Sequence, residues 1–227
     1  MTPARLSVVM PALNEAAGMA AALQALAPLA ARGAQLLVAD GGSVDDTVSL
    51  ARAGGAQVID APRGRALQMN AGAQQSCGDI LLFLHADTRL PLDADRLIAQ
   101  ALAAGTQVWG RFDVRIEGQP RMLRVIAAFM NRRSRWTGIA TGDQALFMTR
   151  AAFDAVGGFP AQPLMEDIEM SARLLKLSRP ACLRARVVTS GRRWETRGVW
   201  RTVLLMWRLR LAYWRGAAPE RLAELYR

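Results

Sequence analysis

Three groups of acids stand at the ends of apolar runs, and each has a chemistry open to it. Leu164-Met165-Glu166-Asp167-Ile168-Glu169 puts three acids into four residues at an expected helix start, where the helix dipole favours negative charge. In a dry pocket such a carboxylate could take the proton of an attacking hydroxyl as a general base. Capping the helix is the plainer use of the same residues, and sequence alone does not separate Glu166 from Asp167. His85-Ala86-Asp87 follows Ile80–Leu84, the most hydrophobic run in the chain. A carboxylate there could ligate a hard divalent ion, which prefers oxygen ligands and completes its shell with substrate oxygens and water. A solvated loop Asp beside a surface His would read the same way. Asp40-Gly41-Gly42-Ser43, followed by Asp45-Asp46-Thr47, supplies an acceptor at a strand end, a backbone that a ligand can approach, and a helix start. That combination could hold a base or ribose, and it also serves an ordinary strand-to-helix turn.

Two further groups are weaker. Gly142-Asp143-Gln144 precedes an apolar run and could hydrogen-bond a sugar or acceptor hydroxyl, as could other polar loops. Arg192-Arg193-Trp194 joins two cations suited to bidentate phosphate contact to an aromatic platform, or is a solvated basic loop.

The whole chain narrows the field. One histidine and two distant cysteines, Cys77 and Cys182, without CxxC spacing, argue against a zinc or redox site. No GxGxxG follows the first apolar run, so the dinucleotide fingerprint is absent. A net charge of +10 calls for an acidic partner. Five arginines between Arg121 and Arg135 and nine between Arg184 and Arg215 place that charge in the second half. Leu6–Met10 is too short for a signal peptide core or a membrane span. The expectation is a reducing cytoplasmic setting, with the fold starting where the chain does.

The elements that must position these groups alternate. Strands are expected at Leu6–Met10, Leu36–Ala39, Gln57–Asp60 and Ile80–Leu84. Helices lie between them: one after Asn14, which could cap it, to about Arg32; one at Thr47–Ala53, capped by Asp45 or Asp46; and one from Arg65 to about Gln75. This rhythm predicts right-handed crossovers and a mostly parallel central sheet flanked by helices, with ligands outside the carboxyl ends of the strands. Beyond Leu90 the pattern loosens. Helices are expected at Asp93–Ala103, Arg121–Arg133, from Glu166, and at Val199–Trp214, and strands at Gln107–Ile116, Ala145–Thr149 and Leu183–Val188.

In the last long helix Trp200, Val203, Leu204, Trp207, Leu211 and Trp214 fall on one stripe, with Arg201, Arg208 and Arg215 every seven residues beside it. A basic, tryptophan-rich amphipathic helix fits an anionic membrane surface, and its stripe could equally pack on the domain. The helix from Arg121 repeats the combination with Met122, Val125, Ile126, Phe129, Met130 and Trp136.

Taken in order, Val-Val-Met-Pro11-Ala-Leu-Asn14-Glu15, Val-Ala-Asp40-Gly-Gly42-Ser43-x-Asp45-Asp46-Thr47, Gly64-Arg65-x4-Asn70-Ala-Gly72, Phe-Leu-His85-Ala-Asp87, Gly142-Asp143-Gln144 and Met-Glu166-Asp167 resemble family 2 glycosyltransferases over nearly the whole chain. The His-Ala-Asp, Gly-Asp-Gln-Ala-Leu-Phe and Arg-Arg-Trp-Glu segments are most similar to the short bacterial subgroup often labelled radical-SAM/selenodomain-associated transferases. The resemblance implies a GT-A fold over 1–197 with a C-terminal amphipathic helical appendage at 198–227. It implies a nucleotide site lined by Pro11, Asn14, Glu15 and Asp40, beside Gly42 and Ser43 and completed by Arg65 and Asn70. Asp87 would match the last acid of the family's DxD motif and bind Mg2+ or Mn2+ with the diphosphate of a nucleoside-diphosphate sugar, most commonly a uridine one. Asp167 would match the catalytic base, with Glu166 beside it and inversion at the anomeric carbon.

Two positions depart from the pattern. His85 stands where the motif usually begins with an acid, and Ser190 takes the Gln position of the Q-x-x-R-W element that ends here in Arg193-Trp194. A single sugar transfer to a hydroxyl acceptor is therefore expected rather than polymerisation. Two rivals stand beside it. A nucleotidyltransferase would usually carry a basic glycine-rich loop where Pro11-Ala-Leu-Asn14-Glu15 stands. A non-enzymatic basic protein would bind lipid or nucleic acid, and no nucleic-acid module is recognisable.

Overall fold

In a computed structural model, residues 4–226 are described. Eight strands form one sheet in the order β3-β2-β1-β4-β7-β6-β8-β5. They are β1 (Leu6–Ala12), β2 (Gln35–Asp40), β3 (Gln57–Asp60), β4 (Ile80–Phe83), β5 (Thr88–Arg89), β6 (Trp109–Glu117), β7 (Phe147–Thr149) and β8 (Ala181–Ser190). Strands β1 to β4 are mutually parallel, and β6 runs parallel to β8. The direction reverses at β7, which is antiparallel to both β4 and β6.

Alternation along the central strands explains their unbroken apolar runs. Val8, Met10, Val38 and Leu82 enter one core, under helices α1 (Ala16–Ala31), α2 (Thr47–Ala53), α4 (Ala94–Leu102) and α5 (Met122–Thr137). Their neighbours Val9, Leu37, Leu81 and Phe83 enter a second core on the opposite face, under α3 (Arg65–Gln75), α6 (Arg150–Ala155) and α7 (Glu166–Leu174). A sheet covered on both faces has no polar side for its strands to show. A third, smaller cluster joins Leu164 and Met165 to Leu209 of α9 (Val199–Trp214) and Leu222 of α10 (Pro219–Tyr226).

The expected strands and helices are present, with ends shifted by a few residues, and five elements were not anticipated: β5, a 3-10 helix at Gly142–Gln144, α6, α8 (Arg192–Arg197) and α10. One expected cap is corrected, and at α2 one of the two candidates is selected. Asn14 does not cap α1: its backbone is left-handed (φ 55°) and α1 starts after Glu15 without a side-chain cap. At α2 the cap residue Asp46 makes no side-chain bond, and Asp45 Oδ1 accepts the Thr47 N–H at 3.1 Å instead. Among the described residues no helix is long and apolar enough to cross a membrane.

Candidate active site

The carboxyl ends of β1, β2 and β4 and the start of α7 converge, and backbone-to-side-chain bonds hold their loops together. The Asn14 N–H donates to Ser43 Oγ (2.9 Å), the Val44 N–H to Asn14 Oδ1 (2.9 Å) and the Glu15 N–H to Thr47 Oγ1 (2.8 Å). Asp40, 5% exposed, turns its carboxylate onto its own loop, where Oδ2 accepts the N–H groups of Gly42 and Ser43 and Oδ1 accepts the Ser43 hydroxyl. Gly42 has φ +88°, a conformation that suits glycine. Beneath both loops the buried Gln68 amide of α3 donates to Ala12 O (2.6 Å) and Ala39 O (2.9 Å). Pro11, paired with Ala39 in the ladder, is half-buried at the same edge.

Just beyond β4, Asp87 is exposed, and the Thr88 hydroxyl donates to its Oδ1 at 3.3 Å. Thr88 is fixed in turn by its antiparallel pairing with Thr189 of β8, so the unanticipated β5 holds this carboxylate at the sheet edge. Glu15 is raised above the ordinary carboxylate range by burial; Arg192 opposes the rise, and Asp87 and Asp45 add to it. Among the described residues no group of three His, Cys, Asp or Glu side chains converges as a metal cage.

The acid pair lies at the other end. Met165, left-handed at φ 66°, turns the chain so that α7 begins on Glu166 and Asp167. Asp167 Oδ2 accepts the Gly142 N–H (2.9 Å), and Oδ1 accepts the Ile168 N–H (2.8 Å). Burial, then the charge of Glu166, push its pKa up to about 6, against the pull of the Gly142 N–H and Arg65. Glu166 is 3% exposed and accepts from Arg65 at 3.1 Å. Arg65 keeps an exposed side, and partial desolvation works against its charge, but Glu166, Asp167 and Asp143 outweigh that and hold its pKa above the ordinary value.

Between the two ends, His85 Nδ1 lies 3.4 Å from Asp143 Oδ1. Partial desolvation would raise the pKa of the half-buried Asp143, but His85, Arg65 and Arg193 pull it below the ordinary range. His85 Nε2 is buried without a hydrogen-bond partner and lies against Gly142, where an added Cβ would meet it at 2.4 Å. Arg193 stacks over the Tyr226 ring at 4.3 Å, and burial and the neighbouring Arg197 and Arg65 lower its pKa while Asp143 and Asp87 pull it back up. Arg65 and Arg193 thus share the field of Asp143, with Asp167 beside the first and Asp87 beside the second.

Three expected site residues face elsewhere. Asn70 uses both ends of its amide on the Phe159 backbone (2.8 and 2.9 Å), pinning the loop before α7. Gln144 is fully buried and engages Thr141 and Asn131, so it shapes the turn that aims the Gly142 N–H. Trp194 packs half-buried against the first core. Sequence reasoning missed Gln68, whose role needs the two strand ends side by side, and Arg133, taken for a surface charge of a basic helix. Burial lowers the Arg133 pKa, and Asp167 is close enough to oppose that. The three non-glycine residues with left-handed backbones among those described, Asn14, Ala145 and Met165, all adjoin this pocket; strain of this kind gathers at functional sites.

The sequence model described as glycosyl transferase family 2 matches residues 7–159. No curated protein matches the chain in sequence. Solved structures share the fold. S. aureus TarS 1-349 in complex with UDP-GlcNAc superposes with a TM-score of 0.65 at 17% identity, covering 82% of this chain and 58% of that one. The mannosyltransferase PcManGT from Pyrobaculum calidifontis, with GDP-Man and Mn2+, gives 0.65 at 21% over 100% and 70%. Glucosyl-3-phosphoglycerate synthase from Mycobacterium tuberculosis, with Mn2+, UDP and glucosyl-3-phosphoglycerate, gives 0.58 at 20% over 82% and 71%. The chain spans about 60% of the length of the TarS 1-349 chain. The α/β fold is GT-A, with a C-terminal helix present.

Proposed function

The chain belongs to glycosyl transferase family 2, and from that premise we propose that it moves one sugar from a nucleoside-diphosphate sugar, UDP-linked, to an acceptor hydroxyl with inversion at the anomeric carbon. The observation that carries this reading is Asp167, a carboxylate lifted to about 6 and held in orientation by two backbone N–H groups, in a charged cluster that reaches Asp87 through Arg65, Asp143 and Arg193. A base works best when its pKa lies near the working pH. Complexes of TarS with UDP-GlcNAc and of PcManGT with GDP-Man and Mn2+ support the nucleotide-sugar donor and the divalent ion. Family membership weighs against a nucleotidyltransferase and against a non-enzymatic binding protein.

Ionised Asp167 accepts the hydroxyl proton as the hydroxyl oxygen attacks the anomeric carbon from one side. The bond from that carbon to the diphosphate breaks on the other side, and the proton remains on Asp167. Direct displacement of this kind inverts the centre. Arg65 and Arg193 offset the charge that gathers on the departing diphosphate. Asp87, exposed and bonded only to Thr88 among the described contacts, fits a Mg2+ or Mn2+ ion that draws its remaining oxygens from phosphate and water. Such an ion, when bound, neutralises part of the leaving-group charge. Pro11, Asn14, Glu15, Asp40, Gly42 and Ser43 would form the nucleotide side, and Gly142 and Asp143 would meet the acceptor.

Within the family, the His85-Ala86-Asp87 and Arg192-Arg193-Trp194-Glu195 segments support the short bacterial radical-SAM/selenodomain-associated subgroup, and Ser190 at the Gln position of the Q-x-x-R-W element supports transfer of a single sugar. We infer a reducing, cytoplasmic setting from the two distant cysteines, which form no disulfide framework. In the test, Asp167→Asn is compared with the wild type for release of nucleoside diphosphate in the presence of acceptor. The expected result is turnover reduced about a hundredfold or more with donor affinity kept; full activity would remove Asp167 from the role.

A further inference from the structure

Helix α9 turns its largest apolar side chains outward. Trp200, Leu204, Trp207, Leu211 and Trp214 are 46–83% exposed, and their spacing of four and three residues lines them up on one side. The opposite side of the same helix, through Leu205, Met206 and Leu209, packs on Leu164, Met165 and Leu222. The outward stripe is therefore additional to what holds the helix in place. Helix α5 extends it with Val125, Phe129 and Trp136, each more than half exposed. The Phe129 ring stacks on Trp207 with centroids 6.4 Å apart, which joins the two helices into one face. Four of the six tryptophans in the chain lie on it. Isolated exposed apolar residues need no explanation, whereas a contiguous patch of this kind marks an interaction surface.

Charge identifies the occupant. Neither α5 nor α9 contains an Asp or Glu, while Arg121, Arg124, Arg132, Arg201, Arg208 and Arg215 are all exposed. The Arg132 guanidinium lies 5.3 Å from the Trp136 ring centre, an amphipathic pair. Between α9 and α10 runs a groove lined by Arg197, Arg201, Arg208, Leu204 and Leu225, with cations beside apolar walls. A second copy of the chain on this face would set arginine rows against each other across a two-fold axis. A layer of anionic headgroups over acyl chains satisfies both components at once, because tryptophan prefers the membrane interface and arginine the headgroup phosphates.

We propose that the combined α5–α9 face seats the protein on an anionic lipid bilayer, with the tryptophans in the interface and the arginines against lipid phosphates. The inner side of α9 contacts Leu164 and Met165, the residues directly before Glu166 and Asp167, so the bilayer lies behind the loop that carries the base. The proposal rests on the surface alone, and its test reads lipid binding without reference to sugar transfer.

The full chain is sedimented with vesicles of phosphatidylcholine, alone or mixed with phosphatidylglycerol, at low and raised salt. Binding is expected with the anionic vesicles, weakened by salt, and accompanied by a blue shift of tryptophan emission. Arg201→Glu with Arg208→Glu should bind about tenfold or more weakly, and Trp207→Ser with Trp214→Ser should lose the emission shift. All four side chains are exposed, so unchanged thermal unfolding of both variants is expected. Equal binding to both vesicle types, or none to either, overturns the proposal. So does a dimer in light scattering that Trp207→Ser dissolves, which would give the face to a second copy.

Discussion

A half-buried carboxylate with an acid beside it ionises reluctantly, and Asp167 has both conditions. Below about 6 it holds its proton and cannot accept another, so the rate should fall about tenfold per pH unit on the acid side and level off above. Arg65 is the cation that restrains the rise. In Arg65→Met the acid limb should move to higher pH; an unmoved limb would show that Asp167 does not set it. The same shift has a consequence for stability. Between the ordinary value of 3.8 and about 6 the folded protein keeps a proton that the unfolded chain has released. Raising the pH through this window therefore weakens the fold through this group. Thermal unfolding of Asp167→Asn should gain on the wild type as pH rises from about 4 to about 6, and a constant difference would contradict the assignment. At this scale the sequence shows which side chains carry charge but not what they touch. Asn70 and Gln144 have site chemistry in their side chains, yet one amide is taken up by the Phe159 backbone and the other by Thr141 and Asn131. Gln68 looks like an ordinary helix residue until the ends of β1 and β2 lie side by side beneath it.

The elements most legible in the sequence are those with two buried faces. Ile80–Phe83 is apolar at every position because alternate side chains enter different cores. Elements that depend on distant partners were illegible: β5 is two residues long and exists through β8, and α10 is defined by Leu222 entering the cluster with Leu164, Met165 and Leu209. That cluster supports the turn at Met165 and hence the direction of the two acids. Leu209 is 1% exposed, and Leu209→Ala should cost about 2–4 kcal/mol, roughly 5–15 °C in Tm for a domain of this size. Through the turn it should also lower kcat while leaving donor KM near the wild-type value, although it touches no substrate. An unchanged kcat in the folded variant would show that the cluster does not position the base.

At the scale of the whole molecule, the charge of +10 is divided between two tasks. Arg65 and Arg193 stand among acids at the site, whereas Arg124 and Arg132 of α5 and Arg201 and Arg208 of α9 face outward on the tryptophan-bearing helices. The sequence gives the total and the crowding in the second half; only the fold separates the two groups, because the separation depends on which side of each helix is buried. The central claim, a nucleotide-sugar site completed by a divalent ion on Asp87 and served by Asp167, makes the two acids separable in one measurement. That measurement is calorimetric titration of nucleoside diphosphates into the wild type, Asp87→Ala and Asp167→Asn, with and without Mn2+. The account predicts Mn2+-dependent binding of UDP by the wild type, kept in Asp167→Asn and lost in Asp87→Ala; binding that ignores both Mn2+ and Asp87→Ala, or no binding of any nucleoside diphosphate, would contradict it.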